Sequence, residues 1–309
     1  MSSGFVFPGQ GSQSIGMMNG LASAFPLVQE TYAQASAVLG YDLWQVVSEG
    51  PEEKLNSTDV TQPAMLAAGV ATWRVWLAQG GNKPAMMAGH SLGEYTALVC
   101  AGAMAFEDAI KLVAARGHYM QEAVPKGIGA MAAILGLADA DVIAVCDQAA
   151  QDDIVQAVNF NSPGQVVVAG NKAAVERATD IAKQKGAKRA VILPVSVPSH
   201  CLLMKPAADK LAADLLNITI QTPEIKVINN VDVASPADAD AIRDALARQL
   251  YQPVRWVEVV QAIIQAGVNT IVECGPGKVL VGLNKRIDKS VTHAAMTDAD
   301  SLAACLGNG

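Results

Sequence analysis

Gly89-His90-Ser91-Leu92-Gly93 sets one serine between two glycines, the Gly-x-Ser-x-Gly spacing of a nucleophile elbow. A serine pinned between a strand end and a helix start sits on a strained turn that lifts its hydroxyl clear of the sheet. The flanking residues supply that setting. Residues 85–88 form a short apolar run after Pro84, fit for a buried strand, and residues 94–101 read as a helix stopped by Gly102. Glycines let neighbouring backbone come close, and a helix N-terminus favours developing negative charge. The chemistry implied is nucleophilic catalysis by Ser91; the plainer alternative is an ordinary strand-turn-helix with a capping serine.

Three further residues have chemical types that such a serine could use. His200 follows an apolar strand pattern that ends at Pro198, which is where a base is well placed, although a lone histidine also serves structure. Arg116 falls inside the apolar stripe of a helix over 106–124, among Ala109, Leu112, Val113, Met120, Ala123 and Val124. A guanidinium there needs an anionic partner, because an unpaired buried charge is too costly. Either an internal carboxylate supplies the anion or a substrate does. Gln249 shares a face with Ile242, Ala245 and Leu246 on a helix over 239–250, so its amide must find buried hydrogen-bond partners. Lys111, His118 and Glu122 lie opposite Arg116, which makes His118 a solvated residue. Cys201 beside His200 is a weaker candidate nucleophile than Ser91.

The elements that position these groups read as a parallel α/β body with an insert. Residues 4–7 form a strand followed by the Gly-rich loop Pro8-Gly9-Gln10-Gly11-Ser12-Gln13, which can aim N–H groups at an anion. It lacks the third glycine of a dinucleotide fingerprint and the Gly-Lys-Ser/Thr of a P-loop, so a nucleotide is not expected. Helices are expected over 25–39, with Pro26 in its first turn, and over 63–79, ended by Gly80-Gly81. Strands over 131–135, 154–160, 165–169 and 190–195 and helices over 139–150 and 173–185 give the order βαββαβ of a ferredoxin-like unit. Asn161-Ser162-Pro163-Gly164 is the expected turn between its middle strands. Beyond it come a helix from near Leu202, a strand over 270–273, the tight loop Gly275-Pro276-Gly277 and a helix over 278–287. From Thr292 onward the pattern predicts only a polar, Ala-rich tail.

Composition sets the class. At 309 residues and 51% hydrophobic, the chain can bury one large core and a smaller one. A net charge of −7 argues against general nucleic-acid binding, although Lys183, Lys185, Lys188, Arg189 and Lys205 make an acid-free stretch. The five cysteines are scattered singly without metal spacing, as expected for reduced thiols in a cytoplasmic protein. Neither a signal peptide nor a membrane span is expected.

Pro8-Gly9-Gln10-Gly11-Ser12-Gln13, Gly89-His90-Ser91-Leu92-Gly93-Glu94-Tyr95, Arg116, Val197-Pro198-Ser199-His200 and Gly275-Pro276-Gly277-Lys278 occur in this order along the chain. Together they resemble the malonyl-CoA:acyl carrier protein transacylase family of bacterial fatty-acid synthesis over essentially the whole length. The resemblance implies an α/β-hydrolase-like catalytic domain (1–126 and 198–309) with a ferredoxin-like insert (127–197) and the active site in the cleft between them. It implies Ser91 as nucleophile, His200 as general base, and a main-chain carbonyl near Gln249 orienting that histidine. The backbone N–H groups of Gln10 and Leu92 would form the oxyanion hole, Arg116 would hold the malonyl carboxylate, and Asn161 and Gln165 would line the cleft. Lys188, Arg189, Lys285 and Arg286 become the expected docking surface for an acidic acyl carrier protein. No metal or redox cofactor is implied, and a monomer is expected. Val197-Pro198-Ser199 departs from the commonest polyketide malonyl pattern, so it does not settle acyl choice. A serine thioesterase or esterase could use the same elbow, base and oxyanion hole. A non-catalytic carrier-protein binder would not need Ser91 and His200 intact.

Overall fold

Phe5 and Phe7 point to one side of a strand and Val6 to the other, and all three are fully buried. That is the pattern of a strand covered on both faces, as in parallel sheets. The computed structural model describes residues 2–195 and 197–307. Within them the strands, in chain order, are β1 (Ser3–Phe7), β2 (Met86–Gly89), β3 (Gly129–Leu135), β4 (Val155–Ser162), β5 (Gln165–Asn171), β6 (Arg189–Ile192), β7 (Lys226–Ile228), β8 (Thr270–Cys274) and β9 (Thr292–Met296).

The first sheet has the order β7-β2-β1-β8-β9, and every neighbouring pair is parallel. Phe5 and Phe7 belong to a large core under the helices Leu27–Leu39, Thr58–Ala78 and Phe106–Ala123. Val6, Ala88 and Ile228 pack on the other face against Trp256, Val259, Val260 and Ile263 of the helix Trp256–Gln265. Because the strands are parallel, the loops after β1, β2, β7 and β8 all leave at one edge of the sheet, where ligand sites of open α/β sheets form.

The second sheet has the order β4-β5-β3-β6 and is antiparallel throughout. Alternation divides its side chains. Ala132, Ile134, Val166 and Val168 face the helices Asp139–Ala150 and Lys172–Gln184, whereas Met131, Val167 and Ala169 face Cys201 on the other side. Hydrogen bonds tie this sheet to the main body, among them Phe160 N–H to Val254 O at 3.0 Å, Val254 N–H to Val158 O at 2.8 Å, and Leu202 N–H to Gln156 Oε1 at 2.8 Å.

Four sequence expectations are corrected. Thr292 onward is not a tail: β9 adds a parallel edge strand to β8 and leads into the helix Ala299–Gly307, which buries Leu302 and Cys305. Thr-His-Ala-Ala-Met has little intrinsic strand signal, so pairing with β8 decides its conformation. The helix expected over 63–79 begins at Thr58 and carries Pro63 inside it. Strand β6 ends at Ile192, so His200 lies well beyond the strand in a loop, with φ of 67°. Asn161 and Ser162 belong to β4, and only Pro163-Gly164 form the turn.

Candidate active site

Ser91 lies two residues beyond the end of β2 and has φ of 52°, a left-handed backbone at a residue with a side chain. Its glycine neighbours make that turn possible. A Cβ at Gly89 would fall 1.8 Å from the Gly93 carbonyl carbon, and one at Gly93 would fall 2.0 Å from Phe7 O. The helix Gly93–Cys100 therefore starts pressed against the end of β1. Asn230, in the loop after β7, clamps the turn. Its Oδ1 accepts the Ser91 N–H at 2.8 Å and its Nδ2 donates to Gly89 O at 2.8 Å.

His200 reaches this serine from the far side of the sequence. His200 Nε2 lies 2.8 Å from Ser91 Oγ, and Nδ1 lies 2.6 Å from the main-chain oxygen of Gln249. A carbonyl only accepts, so Nδ1 carries the proton and Nε2 is left as the acceptor facing the serine hydroxyl. Burial, reinforced by the nearby Arg116 charge, pushes the His200 imidazole down to about 3. The ring is thus neutral at physiological pH and available as a base.

Arg116 is buried against both. Nη2 donates to Ser91 Oγ at 3.2 Å and to Gln249 Oε1 at 3.1 Å, and Nη1 donates to Gln62 Oε1 at 2.8 Å. The guanidinium carbon also lies 5.4 Å from the Tyr95 ring centroid. Among the described residues no carboxylate comes within ion-pair distance of it, and its Nε has no partner. The internal carboxylate that would make Arg116 a structural ion pair is absent there. Burial pulls its pKa down from the ordinary arginine value.

A cavity of about 190 Å³ joins these groups, lined by Ser91, Arg116 and His200 together with Gln10, Leu92 and Asn161. Among the described residues neither the Gln10 nor the Leu92 N–H donates to a protein acceptor. Asn161 reaches in from β4: His90 Nε2–H donates to its Oδ1 at 2.8 Å, while the His90 ring packs 5.4 Å from Trp256. A larger cavity, about 490 Å³, opens near Ser3, Thr270 and Thr292 at the starts of β1, β8 and β9, away from this cluster.

One expectation on the site changes, and one is strengthened. Gln165 does not line the cavity; its Oε1 accepts from Arg286 Nη1 at 2.7 Å on the exposed rim of the second sheet. Cys201 is no rival nucleophile: it is fully buried, its thiol donates to Pro198 O at 3.1 Å, and burial pushes it up to about 12. Gln62, Glu94 and Asn230 were not legible as site residues. Glu94 stood in the elbow motif, but no periodicity marked its carboxylate as buried beneath the serine.

The acyl transferase domain model matches residues 4–302. The chain belongs to the acyl transferase family. It is 59% identical over 302 residues to the malonyl CoA-acyl carrier protein transacylase of Escherichia coli K12, covering 98% of each chain. The Haemophilus influenzae protein of that name is 58% identical over 300 residues, with 97% of this chain and 96% of that one covered. Among solved structures, a malonyl-transacylase complexed with its type II PKS acyl-carrier protein superposes with a TM-score of 0.99 at 58% identity, covering 100% of both chains. In this acyl transferase the serine, the imidazole and the guanidinium converge on one oxygen atom, Ser91 Oγ.

Proposed function

We propose that the chain moves a malonyl group from malonyl-CoA to the phosphopantetheine thiol of an acyl carrier protein through a malonyl-serine ester. The observation that carries this reading is Arg116, a buried cation that touches the nucleophile and has no carboxylate at ion-pair distance among the described residues. A short acyl chain attached to Ser91 Oγ and ending in a carboxylate supplies the missing anion; an acetyl chain does not.

In the first half-reaction His200 Nε2 takes the Ser91 proton as Oγ bonds to the thioester carbonyl carbon. The N–H groups of Gln10 and Leu92 stabilise the tetrahedral oxyanion, a contribution of about 10²–10³ in rate for one donor. The carbon–sulfur bond then breaks, and the imidazolium returns its proton to the departing CoA sulfur. In the second half-reaction the carrier thiol gives its proton to His200 and attacks the ester, and Oγ leaves carrying that proton. Gln249 O holds the imidazole in the required tautomer, the role a carboxylate has in many hydrolases. The chemistry needs no metal or redox cofactor, and the cytoplasm is its proposed compartment. Among the described residues no helix is long and apolar enough to cross a membrane.

The parallel body (1–126 and 198–309) is read as α/β-hydrolase-like, with residues 127–197 as a ferredoxin-like insert. The strand order β4-β5-β3-β6 with two helices on one face supports this. Carrier docking is assigned to Lys188, Arg189, Lys285 and Arg286, all exposed. Sheet register supports one continuous rim, since Arg189 and Gln165 both pair with Leu135 and Gln165 holds Arg286. The test is the intact mass after brief mixing with malonyl-CoA or acetyl-CoA, then with holo-carrier protein. A malonyl adduct absent in Ser91→Ala and discharged by the carrier thiol is expected. Discharge by water alone would make the enzyme a thioesterase.

A further inference from the structure

The nucleophile and its base are each held by a residue with a second job. Asn230 clamps both sides of the elbow through its side chain, and its own N–H donates to Glu94 Oε2 at 2.9 Å. Gln249 orients His200 through its main-chain oxygen, and its Nε2 donates to the same Glu94 Oε2 at 2.8 Å and to Ser91 O at 3.0 Å. Glu94, Asn230 and Gln249 are all buried. One carboxylate oxygen therefore receives both tethers, beneath a serine it does not touch. The carboxylate also offsets the Arg116 charge through space. An apolar side chain at this position would leave the Asn230 N–H and the Gln249 amide buried without this acceptor, so the acid holds both tethers at the cost of its own desolvation.

We propose, resting on the acyl-transfer reading, that the ionised Glu94 carboxylate is a positioning residue: it ties the elbow, through Asn230, to the base, through Gln249, and so sets serine and imidazole in register. Hydrogen bonds to a charged acceptor are roughly twice as strong as neutral ones, so loss of the charge slackens both tethers together.

The charge is lost within an accessible pH range. The groups facing Glu94 are Arg116 from the helix Phe106–Ala123, Asp232 from the loop after β7, itself paired with Arg248, and Tyr95 from its own helix, together with uncharged Asn230 and Gln249. Burial, the largest influence, pushes the carboxyl up to about 7, although both hydrogen bonds and the Arg116 charge act downward. Tyr95, held up at about 12 by burial, and His200, held down at about 3, stay neutral through that range. Acylation should thus fall as pH drops through neutrality, because Glu94 gains a proton rather than because the base does.

The experiment measures single-turnover acylation by malonyl-CoA from about pH 5.5 to about pH 8.5 for wild type, Glu94→Gln and Asn230→Ala. The neutral amide keeps an acceptor but imitates the protonated acid. Glu94→Gln should therefore be slower than wild type by roughly tenfold to a hundredfold at high pH, the loss typical of misplaced reacting groups. It should be flat across the range and equal to the low-pH plateau of wild type. KM for malonyl-CoA should stay within about twofold, since Glu94 does not line the cavity at Ser91. Asn230→Ala should also be slow, and the double variant no slower than the worse single, as for residues acting in one chain. A Glu94→Gln enzyme with the wild-type rate and the wild-type pH inflection would overturn the proposal, whatever its melting temperature. If that variant does not fold, wild type alone decides: rates level from high to low pH refute it. A wild type that takes up no malonyl mass at any pH would instead remove the acyl-transfer reading.

Discussion

Arg116 carries most of the substrate assignment, and its surroundings say what its removal should do. Its side chain donates to Gln62, Gln249 and Ser91, so truncation loosens some buried structure as well as emptying the anion site. A charge-assisted hydrogen bond contributes roughly 1.5–3 kcal/mol, and each 1.4 kcal/mol is about tenfold. Arg116→Ala should cut malonyl loading by at least about tenfold to a hundredfold, measured by rapid-quench mass spectrometry. Acetyl loading should hold or improve, because acetyl makes no such pair and gains room. Lysine at this position should restore only part of the malonyl rate, being a point charge without the planar fork. Parallel losses for both thioesters, together with a lower melting temperature, would make Arg116 a structural residue.

At the scale of elements, Glu273 in β8 repeats the pattern of a buried acid with a local task. Its Oε1 accepts the Leu280 N–H at 3.1 Å and its Oε2 the Val281 N–H at 2.8 Å, capping the helix Val279–Ile287. Burial nonetheless pushes it up to about 7, against the pull of those bonds. The folded-state value lies above the unfolded one, so this carboxyl stabilises most when protonated. Its contribution is lost as pH rises from the unfolded carboxylate range to about 7. Glu273→Gln removes the titration while keeping an acceptor. Relative to wild type, the variant should gain about 2 kcal/mol between about pH 5.5 and about pH 8, read from denaturant midpoints at the two pH values. A stability difference independent of pH would show that Glu273 does not titrate in this window.

For the whole molecule, a net charge of −7 coexists with exposed Lys188 and Arg189 beside exposed Lys285 and Arg286, the cations to which carrier docking is assigned above. Charge reversal at Arg189 or Arg286 should slow transfer to carrier protein by several-fold to about tenfold and leave transfer to free pantetheine unchanged. Added salt should shrink the difference between variant and wild type, because screening acts over about 8 Å at physiological ionic strength. Equal losses with both acceptors would remove the docking role.

Local chemistry made much of this protein readable before any fold was known. The elbow glycines, the apolar stripe around Arg116, the buried face of Gln249 and the βαββαβ order all follow from short-range sterics and periodicity, which a sequence states directly. Other features depend on what lies across the molecule. Thr292–Met296 is a strand because β8 offers it an edge, and Gln165 faces Arg286 because register puts it on the rim. His200 meets Ser91 although β6 ends well before it, since a loop with a left-handed histidine carries it there. Above all, the burial of Glu94 under the serine, and its two tethers to Asn230 and Gln249, join residues far apart in the chain. Sequence alone could name the candidate reacting groups; desolvation and long-range hydrogen bonds, which set their charge states and spacing, exist only once the tertiary fold has excluded water around them.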